Sequence, residues 1–289
     1  MNPENESPNS AQMQQQGLSA AALYSVDFVR EQLAGKKLAA LTGAGISTDS
    51  GIPDYRGAGR TPRHPMTFEN FMGSAQAQQR YWARSFVGWS RISLAKPNAG
   101  HFAIAQAESL GQIVSLVTQN VDGLHQAAGS KNVIDLHGRL DRVKCMGCNK
   151  VHSRFDVEEQ MRQLNPDVVQ SKDFEFTPDG DAEVESTDSF VIPFCTACKG
   201  MLKPDVVFFG ESVPATLVAA SYAAIDAADA LLVAGTSLSV NSGMRFVRHA
   251  AKANKPIVIV NLGPTKGDEY ALAKIEGNTS HVLQRLLID

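Results

Sequence analysis

The stretch GAGISTDSGIPDYRG, Gly43 to Gly57, is separated only by Thr42 from the apolar run Leu38-Ala39-Ala40-Leu41. A strand running into Gly43-Ala44-Gly45 lets backbone amides approach a pyrophosphate closely, so the stretch predicts a nucleotide site at a strand end. The glycine turn alone also fits an ordinary tight connection, because Thr48 stands where the dinucleotide fingerprint has its third glycine. The second half of the stretch favours the site. Ser50 to Gly57 holds two glycines, a proline, Asp54, Tyr55 and Arg56, and a plain connector has no need of an acid, an aromatic and a base in succession.

Outward from this stretch the chain alternates helical and strand patterns. Apolar residues at Leu18, Ala22, Val26, Phe28, Val29 and Leu33 predict a helix closed by Gly35. Ile113 to Val117 reads as a buried strand running into Thr118-Gln119-Asn120-Val121-Asp122-Gly123-Leu124-His125, and Val133 to Leu136 as another ending in His137-Gly138. Val206 to Phe209 reads as a further buried strand of the same sheet. A helix over 215 to 228 leads to the strand Ala230 to Ala234 and then Gly235-Thr236-Ser237. A helix over 242 to 253 leads to the strand Pro256 to Val260 and then Asn261-Leu262-Gly263. Strands alternating with helices, each strand ending in small or polar residues, predict an α/β fold: a parallel, Rossmann-like sheet with its ligand along one edge. At that edge Gln119, Asn120 and Asp122 supply two amides and a carboxylate for ribose hydroxyls or a carboxamide. His137 has the ordinary titration range of a general base. Gly235, Thr236 and Ser237 suit a phosphate or ribose.

A helical block from about 68 to 94 carries Tyr81, Trp82, Phe86 and Trp89. Tyr81 and Arg84 share a helical face and can jointly receive a carboxylate, although an aromatic stripe at this spacing is more often core. Cys145 and Cys148 form one C-x2-C knuckle and Cys195 and Cys198 a second. Two knuckles flanking one module favour a closed four-cysteine zinc site, structural in role, over a redox dithiol. Between them, 155 to 164 reads as helix and 165 to 190 as an extended, exposed insertion.

The 289 residues are 43% hydrophobic and 20% charged, with formal net charge −3, which leaves no electrostatic footprint for nucleic acid or an anionic membrane. No apolar run approaches the roughly 18 residues of a spanning helix. Residues 1 to 17 are polar, lack a cationic and apolar leader, and are expected to be a disordered tail on a cytoplasmic protein.

Taken together, GAGISTDSGIPDYRG, TQNVDGLH, LHG ending at Gly138, the paired knuckles, KPDVVFFGE, GTSLSV and a strand ending in NLG resemble the sirtuin family of NAD-dependent protein lysine deacylases, in order from about residue 20 to 285. The resemblance implies a Rossmann-type NAD domain (18–57, 98–140 and 204–289) and a smaller domain made of a helical segment (58–97) and a zinc module (141–203). NAD would be held by Gly43, Ala44, Gly45, Asp54, Tyr55 and Arg56, with Gln119, Asn120 and Asp122 around nicotinamide and its ribose. Gly235, Thr236, Ser237, Asn261, Leu262 and Gly263 would line the adenosine half. Asn120 and Asp122 would act with His137, the general base, and Cys145, Cys148, Cys195 and Cys198 would hold one structural zinc.

The acyl oxygen would displace nicotinamide from the ribose, His137 would then help a ribose hydroxyl attack the resulting imidate, and water would finish the reaction, giving free lysine, nicotinamide and acyl-ADP-ribose. An acyl-lysine peptide would add as a strand beside Val207, Phe208, Phe209, Gly210 and Glu211 and the residues near Leu238 to Asn241. Tyr55 departs from the phenylalanine of many relatives. The segment RYWARSFVGW, 80 to 89, resembles the lipoamidase-like and bacterial subgroup and extends the expected acyl range beyond acetyl; dicarboxylic acyl groups are expected if Tyr81 and Arg84 reach the acyl channel. Mono-ADP-ribosyl transfer is the alternative activity, and His137 favours deacylation over it. The resemblance does not specify an oligomeric state.

Overall fold

The computed structural model describes residues 20–55, 65–168, 179 and 187–289, with side chains from residue 26 onward. The expected tail, Arg56 and most of the 165 to 190 insertion lie outside the described residues. In chain order the strands are β1 (Leu38–Thr42), β2 (Ile113–Thr118), β3 (Val133–Asp135), β4 (Gly138–Cys145), β5 (Val151–Ser153), β6 (Leu202–Val206), β7 (Ala230–Ala234), β8 (Ile257–Val260) and β9 (Ala273–Ile275). The helices are α1 (Ala20–Leu33), α2 (Phe68–Gly73), α3 (Ala75–Ile92), α4 (Ala99–Ser109), α5 (Leu124–Ala127), α6 (Arg154–Leu164), α7 (Ala215–Asp226), α8 (Asn241–Lys252) and α9 (Thr279–Leu287).

Six strands form a parallel sheet in the order β3-β2-β1-β7-β8-β9, with Leu41 opposite both Val117 and Val233. Every residue of β1, β7 and β8 is buried, as expected of strands covered on both faces and therefore apolar throughout. Val29, Ile104 and Leu283 bring α1, α4 and α9 onto one face. Ile225, Phe246 and Val247 bring α7 and α8 onto the other. The connections depart in opposite directions on either side of β1 and β7, so a crevice opens at the carboxyl ends of these two strands.

Three strands form a separate antiparallel sheet, β5-β4-β6. This corrects the expectation of a parallel-sheet strand over Val206 to Phe209. β6 stops at Val206 and pairs with β4, where Cys145 lies opposite Leu202 and Val143 opposite Pro204. Pro204 is tolerated because β6 is an edge strand. Val207 to Phe209 continues as an extended segment, held by the Val207 N–H donating to the His137 carbonyl (2.8 Å) and the Phe68 N–H donating to the Phe209 carbonyl (2.9 Å).

A third apolar cluster joins α2 and α3 to this small sheet through Phe71, Tyr81, Trp82, Phe86, Val143 and Phe208. The helical block divides at Ser74, whose hydroxyl caps α3 by accepting from Ala77 N–H (3.1 Å). Arg154 at the start of α6 is buried in the same cluster. It pairs with Glu158, donates to the Ser85 carbonyl (3.2 Å), and lies 4.8 Å from the ring centre of Trp89 and 5.8 Å from that of Trp82. Among the described residues no helix is long and apolar enough to cross a membrane.

Candidate active site

β1 runs not into an α-helix but into two short 3-10 turns, Ala44–Ile46 and Thr48–Ser50. That is why Thr48 can stand where a helix packing closely on its strand would need glycine. The turn after β1 interlocks with the turn after β7: Gly43 N–H donates to the Ala234 carbonyl (3.1 Å) and Gly45 N–H to the Gly235 carbonyl (2.8 Å). A Cβ on Gly45 would stand 2.9 Å from Gly235 Cα. Gly235 has φ +63°, and a Cβ there would stand 2.3 Å from the Ile46 nitrogen. Glycine is required at both positions by space, and at Gly235 by conformation as well.

Behind these turns lies a buried polar network. Ser47 donates to an Asp122 carboxylate oxygen (2.7 Å), and its oxygen accepts from the Asn120 amide (3.0 Å). The Asn98 N–H donates to His101 Nδ1 (3.3 Å), so the ring proton is on Nε2, 3.4 Å from Ser47 Oγ. Thr42 donates to Thr118 (2.9 Å), so its oxygen accepts from His125 Nε2 (2.9 Å). The rings of His101 and His125 are 4.8 Å apart. Burial pushes His101 down to about 4, and burial with the neighbouring His101 pushes His125 well below its usual range. Burial pushes the Asp122 carboxyl up, opposed by the hydrogen bonds from Leu124 N–H and Ser47.

His137 leaves β3 with Nδ1 2.9 Å from the Gln119 carbonyl and Nε2 2.9 Å from the Ser242 hydroxyl. A carbonyl only accepts, so Nδ1 carries the proton and Nε2 presents the lone pair. Burial lowers the proton affinity of the ring, against the raising effect of the Gln119 bond, which keeps the imidazole neutral at neutral pH. Gln119 is fixed in turn by donating to Thr236 Oγ1 (3.0 Å) and to the Thr42 carbonyl (3.3 Å).

Ser47, Gln119, Asn120, Asp122, His137 and Ser242 open onto one cavity of about 1310 Å³, with the His101 and His125 pair buried behind it. Its wall brings together the sequence-predicted Gly43, Ala44, Gly45, Asp54, Tyr55, Gln119, Asn120, Asp122 and His137. Val207 to Glu211, Gly235 to Ser237 and Asn261 to Gly263 line the same cavity, as do Ser239 to Asn241. The Asn261 amide donates to the Leu262 (2.9 Å) and Gly263 (3.1 Å) carbonyls and so shapes that turn. Tyr81 lines the cavity and packs edge-on against Phe208 (5.2 Å between ring centres), whereas Arg84 is not part of the wall. Sequence reasoning missed Ser47, His101 and Ser242. Ser47 stood inside the opening stretch, and the spacing of Asn98 and His101 is that of a reciprocal helix cap, which the structure contains. Ser242 left no comparable signal.

The four cysteine sulfurs lie within 4.8 Å of one another, with Cys145 to Cys198 at 3.5 Å and Cys148 to Cys195 at 3.8 Å. These separations are too long for disulfides. They fit a tetrahedral zinc, whose 2.3 Å bonds place sulfurs roughly 3.8 Å apart. His152 Nε2 is 3.3 Å from Cys195 Sγ.

The Sir2 family model matches residues 43–242. The chain is 52% identical over 258 residues to NAD-dependent protein deacetylase 1 of Mycobacterium avium (strain 104), covering 88% of this chain and 92% of that protein. It is 51% identical to an NAD-dependent protein deacetylase of Xanthomonas campestris pv. campestris (strain 8004), covering 86% of each. Similar solved structures include a Sir2 with p53 peptide and NAD+ (30% identity, TM-score 0.72, 90% of this chain and 95% of that one). Another is Sir2Tm bound to a propionylated peptide (29% identity, TM-score 0.69, 90% and 95%).

Proposed function

The chain belongs to the Sir2 family, and from that premise we infer that it is an NAD-dependent protein lysine deacylase whose chemistry is carried by His137. The observation behind this reading is that the His137 lone pair, the Gln119, Asn120 and Asp122 side chains and the Val207 to Glu211 segment face one cavity. The interlocked glycine turns at the switch point and the run of small and polar residues along the strand ends fit a dinucleotide.

NAD, when bound, supplies a ribose carbon whose bond to nicotinamide is exchanged for one to the acyl oxygen. Gly43, Ala44, Gly45, Asp54 and Tyr55 hold it, Gly235 to Ser237 and Asn261 to Gly263 receive the adenosine half, and Gln119, Asn120 and Asp122 receive the nicotinamide half. Asn120 and Asp122 meet it already oriented by Ser47. His137 takes a proton from a ribose hydroxyl at Nε2, and the Gln119 carbonyl on Nδ1 stabilises the imidazolium that results. The substrate peptide lies as an added strand between Val207 to Glu211 and Ser239 to Asn241, in the cleft between the parallel-sheet domain and the smaller one. Cys145, Cys148, Cys195 and Cys198 hold one zinc that staples the small sheet. A cytoplasmic location, where thiolates stay reduced, belongs to this reading.

We further propose that uncharged acyl groups are preferred. Tyr81, Ile52, Val206 and Phe208 form an apolar part of the wall, Arg84 is not in it, and a similar enzyme has been solved with a propionylated peptide. The test is nicotinamide release with acetyl, propionyl, succinyl and lipoyl peptides, for wild type and His137→Ala. Release that requires both an acyl peptide and His137 is expected, with succinyl the poorest substrate. NAD consumption without an acyl peptide, with label transferred to protein, would replace the reading with ADP-ribosyl transfer.

A further inference from the structure

Ser242 belongs to none of the glycine, amide or histidine motifs, yet its hydroxyl is 2.9 Å from His137 Nε2. Because Nδ1 of the same ring faces the Gln119 carbonyl, the Ser242 hydroxyl donates into the lone pair that must receive the substrate proton. Ser242 is the second residue of α8, whose N-cap Val240 has no capping side chain. The next residue, Gly243, is pressed on Gln119: a Cβ there would stand 2.7 Å from Gln119 Oε1. The first turn of α8 is thus docked on both the base and the residue that orients it, and a helix N-terminus disfavours a positive ring.

We propose that Ser242 is a positioning residue for deacylation, holding His137 in its neutral Nδ1–H form in the free enzyme and yielding Nε2 to the ribose hydroxyl when NAD and peptide are bound. The proposal rests on the deacylase reading above. A bond made to the neutral ring in the free enzyme and given up in the ternary complex lowers the proton affinity of the free form alone. Removing the hydroxyl therefore acts on kcat/KM, which reports free-enzyme titration, and not on the titration seen in kcat. Among the described residues, the charged ones that share the cavity wall with His137 are Asp54, Asp122, Asp179, Glu211, Arg245 and Glu276. All remain in every variant, so a difference between variants belongs to position 242.

The test is an NMR titration of the His137 ring nitrogens in free wild type, Ser242→Ala and Ser242→Thr, beside pH profiles of acetyl-peptide-dependent nicotinamide release. In Ser242→Ala the ring titration and the acidic limb of kcat/KM are expected to rise together by about 0.5 to 1 pH unit, the shift one hydrogen bond to the neutral form supports. The limb of kcat is expected to stay in place, and threonine to restore the wild-type titration. An unmoved ring titration in Ser242→Ala, or a shift that threonine does not reverse, overturns the proposal. No release by wild type with any acyl peptide overturns the deacylase reading instead. The ring titration, which needs no turnover, tells the two failures apart.

Discussion

Ser47 donates a 2.7 Å hydrogen bond to Asp122 and so ties the turn after β1 to the loop after β2. The same oxygen accepts from Asn120, so one hydroxyl orients an acid and an amide that face the cavity. A hydrogen bond to a charged group is worth about 1.5 to 3 kcal/mol, or roughly 10- to 100-fold in rate if it acts at the transition state. Ser47→Ala is expected to lower kcat/KM for NAD by that factor while the thermal midpoint falls by only a few degrees. Equal kcat/KM in the two proteins would show that Asp122 needs no such orientation.

Acid should weaken the fold through the buried histidine pair. His101 titrates near 6.5 when unfolded and about 4 when folded, so between those values the unfolded chain binds the extra proton. Its stability contribution is complete above about 6.5 and is lost as pH falls towards 4; His125, also lowered, acts in the same direction. Urea unfolding at a series of pH values should show this loss, and His101→Asn should flatten it. A variant with the wild-type slope would assign the acid sensitivity elsewhere.

Zinc retention should depend on a residue that is not a ligand. His152 is placed to donate to the Cys195 thiolate, and groups that support metal ligands typically matter 10- to 100-fold for affinity. A chromophoric chelator is expected to take zinc from His152→Ala faster than from wild type by about that factor. Complete removal should lower the thermal midpoint, because the sulfurs join β4 to the 195 to 198 knuckle. Identical release rates would leave His152 without a role at the metal.

Arg154 should be more costly to remove than any exposed arginine. Its truncation takes from buried Glu158 its Arg154 partner and withdraws a cation that lies over the rings of both Trp82 and Trp89. Arg154→Ala is expected to cost about 3 to 5 kcal/mol in urea unfolding, whereas a cost under about 1 kcal/mol would mean that the ion pair contributes little to the fold.

Much of this architecture is legible in the order of the amino acids, for a physical reason. β1, β2, β7 and β8 are the inner strands of the parallel sheet, so each is a nearly unbroken apolar run ended by glycine or a polar residue. β6 misled because Val206 to Phe209 is equally apolar whether it lies inside a parallel sheet or against Phe71 and Tyr81. β9 is three residues long and gives almost no period to read. Gln119, Asn120, Asp122 and His137 stand out as candidates because they sit at strand ends, and they line one cavity. Ser47, His101 and Ser242 do not stand out, because each matters through a partner that only folding brings near.

The interlocked glycines also set an order of events. Gly45 receives its partner Gly235 only when β7 has docked beside β1, after nearly four fifths of the chain has passed. A chain emerging from its amino terminus therefore holds β1 with one side unpaired until late, and a site built on contacts so distant in sequence closes slowly. Dinucleotide affinity is thus expected only of the finished molecule: an amino-terminal fragment ending before β7 should lack it, and NAD added during refolding should select chains whose central strands have already met.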